Sequence, residues 1–387
     1  MKLATVALAA LIPVATADAQ ELSPEVLLLS RVKNHMKEEL HRLTNISCIE
    51  TVLREQQPPN GNMRQLDTVR LEVITNGHKE LFASPGDRKF TEQNPVTFAG
   101  TGWMQTGLFG PYLKTVLLDG YASMQYKGDE QVGGRVLARY DYRIPAFWSG
   151  QTIRMPEGSG KVGLGGSFWV DKRTYDVVRL ELAAYDFPPE LPLTEARTDI
   201  AYATTNLAGG LELLLPEAAD LRVVKDSGEI GHNRIEFTHC RVFGAESTIN
   251  FSDSNSAGDI ARFGVAVVDD TLRPLPAGLN ITVRLRSRIS DDMAVGALID
   301  AAVAGNVSFK HKVIIPSGSP VRGRIRRLER YTTPFSYWVV GLEFTEVDID
   351  GIRHLFYADS IGIGTRAGRS DVGVYEKHNG ADVPAER

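Results

Sequence analysis

Apolar residues first recur in steps of three and four. Val26, Leu29, Val32, Met36, Leu40 and Leu43 fall on one side of a helix of about 20 residues. Ser23-Pro24-Glu25 supplies a capping hydroxyl, a proline at the first helical position and an acid facing the positive end of the dipole. Asn45 closes the segment. The period then falls to two. Val69, Leu71 and Val73 alternate with Arg70 and Glu72, the pattern of a strand with one buried and one wet face. Asn76-Gly77 follows at once, and an extended run returns at 79–82, so a tight hairpin is predicted. Between 102 and 118 the alternation breaks, and two short helices are predicted, the second opened by Pro111. Strand patterns resume at 122–126, 134–142, 151–155, 166–170, 176–184, 200–204 and 234–251.

These elements predict a mainly β fold of the α+β class. A curved antiparallel half-barrel, its strands in sequence order, holds the long N-terminal helix and the short helices in its concavity. Sheets of many strands twist and curl, and glycines at 133, 134, 163, 165 and 166 suit bends. Residues 252–258 are small and polar and mark a boundary. Beyond them, short strands with Pro-Ser-Gly and Asp-Gly turns predict a small β-barrel. The expected organisation is a leader over 1–19, a half-barrel domain over 20–251, a linker over 252–271, a small β-barrel domain over 272–366 and a flexible tail over 367–387.

The leader rests on Lys2, an apolar run over 3–17 and the small-x-small end Ala17-Asp18-Ala19, which predict export and cleavage before Gln20. The run is too short, and too broken at Pro13, to span a bilayer. The mature chain is therefore expected in the periplasm or outside the cell, peripheral rather than integral to any membrane. Its 387 residues, 43% hydrophobic and 24% charged, are enough for more than one core, and the net charge of −5 selects no partner. In an oxidising compartment Cys48 and Cys240 can form one disulfide closing a loop of about 190 residues, worth at most about 5 kcal/mol. Two buried thiols are the alternative.

Little in the chain points to catalysis. Gly158-Ser159-Gly160-Lys161-Val162-Gly163 matches a dinucleotide-binding string, but that chemistry needs a helix next, and Ser167-Phe168-Trp169-Val170 reads as a strand. His35 and Glu39 share a helix face, yet His41 lies round from them. His239 and Cys240 are neighbours in a strand and point to opposite faces. Asp348 and Asp350 make only a fragment of a calcium loop. No metal and no cofactor is implied.

Two features remain. Phe98, Trp103, Met104, Leu108, Phe109, Tyr112 and Tyr121 form an apolar stretch. It either fills the core or lines a groove for a lipid or acyl ligand, opened when the short helices move. The second feature is arginine spacing: Arg284, Arg286 and Arg288, then Arg322, Arg324 and Arg326, alternate along predicted strands. Between 273 and 330 eleven basic residues face four acids, so this stretch carries +7 and the remainder −12. Three readings stay open: docking on an anionic envelope surface or envelope protein, docking on the acidic first domain, or a solvated face. No aromatics interleave with the arginines, which argues against nucleic acid as a specific partner.

Three stretches carry a resemblance. They are Asn45-Ile46-Ser47-Cys48, then Gly166-Ser167-Phe168-Trp169-Val170-Asp171-Lys172-Arg173-Thr174, then Asp176-Val177-Val178-Arg179-Leu180-Glu181. Over residues 24–251 the chain resembles the LolA-like and RseB-like periplasmic proteins. The resemblance implies a half-open β-barrel with helices in its concavity. It also implies binding of acyl chains or other hydrophobic ligands, or sensing of envelope components, without catalysis. The paired cysteines and the extra domain depart from the carrier members. Leu275-Pro276-Ala277-Gly278 and Val313-Ile314-Ile315-Pro316-Ser317-Gly318-Ser319-Pro320-Val321-Arg322-Gly323 resemble the small β-barrel of TrbI-type conjugation subunits, which implies an assembly or docking module. The expectation is a non-enzymatic exported envelope protein that binds a hydrophobic ligand or serves as scaffold or sensor. The alternatives are a hydrolase of envelope polymers and a structural subunit of a secretion or conjugation assembly.

Overall fold

The computed structural model describes residues 23–76, 79–87, 90, 95–99, 102–243, 273–276, 278–286, 288–331 and 336–356, and the backbone of 375–378 and 381–384. The expected leader, the linker over 252–271 and most of the expected tail lie outside the described residues.

The first helix, α1 (Pro24–Arg42), follows the three-four periodicity, and its Val32, Met36 and Leu40 are buried. Two expectations fail at its start. Val26 is 46% exposed, so the buried face begins further along, and Ser23 makes no side-chain cap. Next come β1 (Ile46–Gln57), β2 (Arg64–Asn76), β3 (Lys79–Ala83), α2 (Val96–Ala99) and α3 (Pro111–Leu117). They are followed by β4 (Ser123–Val132), β5 (Arg135–Ile144), α4 (Ala146–Ser149), β6 (Thr152–Arg154), β7 (Ser159–Lys161) and β8 (Gly163–Asp171). The first half ends with β9 (Val177–Tyr185), β10 (Leu193–Leu207), β11 (Leu211–Lys225) and β12 (Ile230–Val242).

Ten of these strands form one curved antiparallel sheet, open rather than closed into a barrel, in the order β3-β2-β1-β12-β11-β10-β9-β8-β5-β4. The predicted sequence order holds only in part. Strands β4 to β12 form a meander (the small β6–β7 hairpin aside), and β1 pairs with β12, bringing the first three strands to the end of that meander. The predicted hairpin forms, but Asn76 pairs with Lys79, so Asn76 closes strand β2 instead of standing in the turn. Glu72, expected on a wet face, is buried, where it accepts from the Ser47 hydroxyl at 2.6 Å and from Arg241 at 2.7 Å. Strand β11 was hidden in the sequence because its register shifts opposite Ala201 and Tyr202, beside Pro216, which breaks the alternation. Of the two helices expected over 102–118 only α3 is there. Residues 102–110 form bends and turns, and the other short helix, α2, lies upstream.

Helices α1 and α3 cover the concave face. Met36 and Leu40 from α1, with Leu113 and Val116 from α3, share a core with Tyr140, Phe168, Leu180, Ile200 and Ile235 of the sheet. Cys48 and Cys240 are joined in a disulfide across the neighbouring strands β1 and β12. Their register shifts at this point, between Ser47 and Ile49.

The C-terminal half holds β13 (Arg273–Pro274), β14 (Val283–Leu285), β15 (Leu298–Val303), β16 (Val307–Phe309), β17 (Lys312–Ile315), β18 (Pro320–Tyr331), β19 (Tyr337–Ile349), β20 (Ile352–Leu355), β21 (Tyr375–His378) and β22 (Ala381–Pro384). Six of them form a second sheet, β13-β20-β19-β18-β15-β14, while β16–β17 and β21–β22 are separate hairpins. The outer strands β13 and β14 do not pair with each other among the described residues, so the sheet is open at both edges. It curls round a small core of Ala301, Val303, Val307, Ile315, Val321 and Val347.

The two sheets share contacts as well. Val295, Ile299, Ile325 and Leu328 belong to the first core. The reason lies in β3, which pairs only with residues 72–76 of β2 and leaves the rest of that strand's edge open. Val295 occupies the gap: the Arg70 amide donates to its carbonyl at 2.9 Å, and its own amide donates to the Thr68 carbonyl at 2.7 Å. Gly296 follows at φ 90°, where a Cβ would stand 2.4 Å from the Arg70 carbonyl oxygen. Only glycine permits that approach.

Candidate functional site

The inward positions of β1 are Cys48, Glu50, Val52 and Arg54, all buried. Glu50 stands opposite Phe237 of β12 and Leu71 of β2. Over this face lie residues 98–99 and 102–118. The Phe109 ring meets Phe237 edge-on, with centroids 5.0 Å apart. Leu108, Phe109 and Tyr112 are buried in the main core, and Phe98 and Met104 pack partly buried against it. Five of the predicted groove residues are thus brought together. Trp103 packs elsewhere, against the cluster of Val162, Leu191, Leu193, Leu221 and Val223. Tyr121 is no part of the groove: it is 47% exposed and stacks on Trp148.

Because residues 102–110 make no regular structure, their backbone groups need partners from the sheet. Strand β3 supplies Glu80, whose carboxylate accepts from the amides of Gly107 and, at 2.9 Å, Phe109. The Tyr202 hydroxyl of β10 donates to the Leu108 carbonyl at 2.9 Å. Asn233 of β12 donates to the Trp103 carbonyl at 2.8 Å. The Thr198 hydroxyl donates to Gln105 Oε1 at 2.7 Å, and Gln105 Nε2 donates to the Tyr112 hydroxyl at 3.2 Å. Arg54, paired with Asp67 through Nε at 2.6 Å, also reaches the Ala99 carbonyl at 3.3 Å. Gly107 turns at φ 92° with the Tyr112 ring 3.0 Å from where a Cβ would be. This cover is a plug fastened by side chains of four strands, β1, β3, β10 and β12.

Two carboxyl groups lie under the plug. Burial, and then the charge of Glu80, pushes the Glu50 carboxyl up to about 8. Glu50 is therefore protonated at neutral pH. Burial also raises Glu80, against the pull of the Gly107 and Phe109 amides. Asp67 is raised by burial despite the hydrogen bonds from Arg54. Tyr112 is pushed up to about 12, chiefly by burial.

Little room is left beneath the plug. The two best-formed hollows hold about 10 and 20 Å³ and lie at its two ends, one beside Glu80, Phe109 and Pro111, the other beside Arg54, Gly102 and Trp103. That is space for about one water each, against the roughly 300 Å³ or more of a small-molecule site. The structure is the plugged form.

The arginines divide. Arg324 donates to the Pro85 carbonyl at 2.9 Å, the Gly296 carbonyl at 3.0 Å and Asp87 at 2.6 Å. Arg326 donates to Ser84 Oγ at 3.0 Å and to Glu343 at 2.6 Å. Both therefore fasten the second sheet to the first, one of the readings the sequence left open, rather than facing an outside surface. Arg322 is exposed and lies 3.7 Å from Glu346. Arg284, Arg286 and Arg288 are exposed, but only Arg284 lies in a strand, so the alternation expected of these three does not form.

Sequence reasoning missed the clasp of Glu80, Tyr202 and Asn233. The available signal was a carboxylate at an apolar position of a short strand. It also missed the exposed pair Phe147 and Trp148, which follow Pro145-Ala146 in the sequence.

Among the described residues no group of three or more His, Cys, Asp or Glu side chains could hold a metal ion, and no helix is long and apolar enough to cross a membrane. No family model and no curated protein matches the chain. Solved structures do. A DUF1329 family protein from Desulfovibrio piger ATCC 29098 is 13% identical, covers 57% of this chain and 95% of its own, and has a TM-score of 0.30. A LolA superfamily protein from Nitrosomonas europaea is 9% identical over 56% of this chain and 94% of its own, with a TM-score of 0.27. A candidate outer membrane lipoprotein-sorting protein domain from Vibrio parahaemolyticus is 9% identical over 58% of this chain and 95% of its own, with a TM-score of 0.27. The functional reading rests on the concave face itself.

Proposed function

We propose that this is a non-catalytic, exported envelope protein whose concave face takes up a hydrophobic ligand, a lipid or an acyl chain, when the plug over 98–118 lifts. One observation carries the reading. The apolar face of a ten-stranded sheet is covered in part by irregular chain whose backbone is held from outside, by Glu80, Tyr202, Asn233 and Arg54. Helix α3, at the end of the plug, keeps its own hydrogen bonds and moves with the chain before it. The irregular chain detaches at the cost of a few side-chain hydrogen bonds, each worth about 1 kcal/mol net, and of the apolar burial of Leu108 and Phe109, which the entering ligand replaces.

In this reading the half-barrel domain over 20–251 holds the ligand. Leu108, Phe109 and Tyr112 withdraw together with Phe98 and Met104. Phe237, Leu71 and Ile200 then face the ligand in their place. The C-terminal domain over 272–366 is a docking module bound to the first sheet through Arg324 and Arg326. Its Arg284, Arg286 and Arg288 remain outside for an anionic envelope surface or an envelope protein.

Native mass spectrometry of the full chain purified from its own cell envelope tests the proposal. The expected spectrum shows a co-purifying lipid that is lost on solvent extraction. Repeated preparations without any adduct contradict it.

A further inference from the structure

Helix α4 is a single turn that follows β5. Pro145 opens it, its carbonyl accepting from the amides of Trp148 at 2.9 Å and Ser149 at 3.0 Å, and Gly150 ends it at φ 67°. The turn is pinned to the β6–β7 hairpin. Ser149 Oγ donates to the Val162 carbonyl at 2.5 Å and accepts from the Gln151 amide at 3.1 Å. On this fixed base stand two aromatic residues with little cover: Phe147 is 75% exposed and Trp148 48%. Tyr121, from the loop after α3, stacks on Trp148 with centroids 4.4 Å apart and 12° between planes. Phe147 meets the other side of the Trp148 system edge-on at 4.7 Å. Single exposed apolar residues need no explanation, but three rings in contact on a rigid turn do.

Basic residues flank this crest along the chain, in β5 and in the β6–β7 hairpin. Arg143, Arg154 and Lys161 are exposed, and among the described residues none of them pairs with an acid. Arg143 lies over the Tyr185 ring at 3.6 Å. Of the acids on neighbouring segments, Asp119 pairs with Lys114 at 2.6 Å and Glu157 with Lys225 at 3.2 Å, while Asp186 and Glu190 are exposed.

We propose that this crest is a membrane-docking surface for an anionic phospholipid bilayer. Indole and phenol rings settle at the headgroup level, where an apolar body and a polar tip are both satisfied, and a phenyl ring reaches below it. Arg143, Arg154 and Lys161 face the negative surface, each contributing attraction that falls off within a Debye length. The inference is independent of the plugged groove, because none of the crest residues lines it.

Flotation of the full mature chain with vesicles tests it, using phosphatidylcholine alone and phosphatidylcholine mixed with phosphatidylglycerol. The chain is expected to float with the phosphatidylglycerol vesicles, less so as salt is raised, and much less with phosphatidylcholine alone. Phe147→Ser is expected to lower the bound fraction by about tenfold while leaving thermal melting unchanged. Arg154→Ser is expected to weaken binding only to the anionic vesicles. Failure of the wild type to float, or equal flotation of Phe147→Ser, overturns the proposal. Uptake of an acyl ligand by Phe147→Ser, read by native mass spectrometry, stays as in the wild type, so the two ideas fail separately.

Discussion

Glu50 gives the sharpest test of the buried face. It is 2% exposed, set between Phe237 and Leu71, and its carboxyl is raised from 4.5 to about 8. A carboxyl raised in the folded state keeps a proton that the unfolded chain has released. Stability therefore falls as pH rises through the window from 4.5 to about 8. Below the window both states are protonated and there is no penalty. Above it both are ionised and the full penalty applies. A shift from 4.5 to about 8, at roughly 1.4 kcal/mol per unit, corresponds to an upper value of about 5 kcal/mol. Glu50→Gln removes this titration. Urea unfolding of wild type and variant should give similar midpoints near the lower end of the window. Above its upper end the variant should be the more stable by several kcal/mol. Other carboxyls, including Glu72 and Asp129, titrate in both proteins and cancel in the difference. Parallel pH profiles for the two proteins would refute the placement of Glu50 in an apolar, closed face.

Three further outcomes follow from the same structure. Reduction of the Cys48–Cys240 bond, which closes a span of 192 residues, should destabilise the chain by up to about 5 kcal/mol, read as a lower urea midpoint with reductant. Glu80→Ala leaves the Gly107 and Phe109 amides without their acceptor; a loss of about 2 kcal/mol is expected, with faster hydrogen exchange at those two amides and little change in the rest of the sheet. Arg324→Ala removes two contacts between the halves, to Pro85 and Asp87, and a third to Gly296, at a side chain only 11% exposed, so limited proteolysis should release the C-terminal part sooner, with stability lower by about 2–3 kcal/mol.

The parts of this fold written locally were legible in the sequence. The three-four spacing from Val32 to Leu40 made α1, and alternation made β2, β5 and β9. The cysteine pair was also readable, since both residues fall in strands. What could not be read depends on pairing between distant residues. Nothing near Ile46 says that β1 will lie beside β12. The short β3 leaves an edge that only Val295, more than two hundred residues on, explains. The site was legible as composition and not as geometry. The apolar stretch 98–112 announced a greasy surface, but its clasp comes from Glu80, Thr198, Tyr202 and Asn233, scattered over three strands. Arg324 and Arg326 looked like an outward patch because their partners Ser84, Pro85 and Asp87 lie in the turn after β3, far away in the chain.

Locking the plug tests the central claim most directly. Gln105 Oε1 and Thr198 Oγ1 meet across the plug and sheet at 2.7 Å, so Gln105→Cys with Thr198→Cys can be joined through a short bis-thiosulfonate linker, which forms a disulfide to each thiol in the oxidised form and is released by reductant. Binding of a fluorescent fatty acid would be measured for the wild type and for this variant, oxidised and reduced. Saturable binding by the wild type and the reduced variant, abolished on oxidation, is the predicted result. Equal binding by the locked form, or none by the wild type, would contradict it.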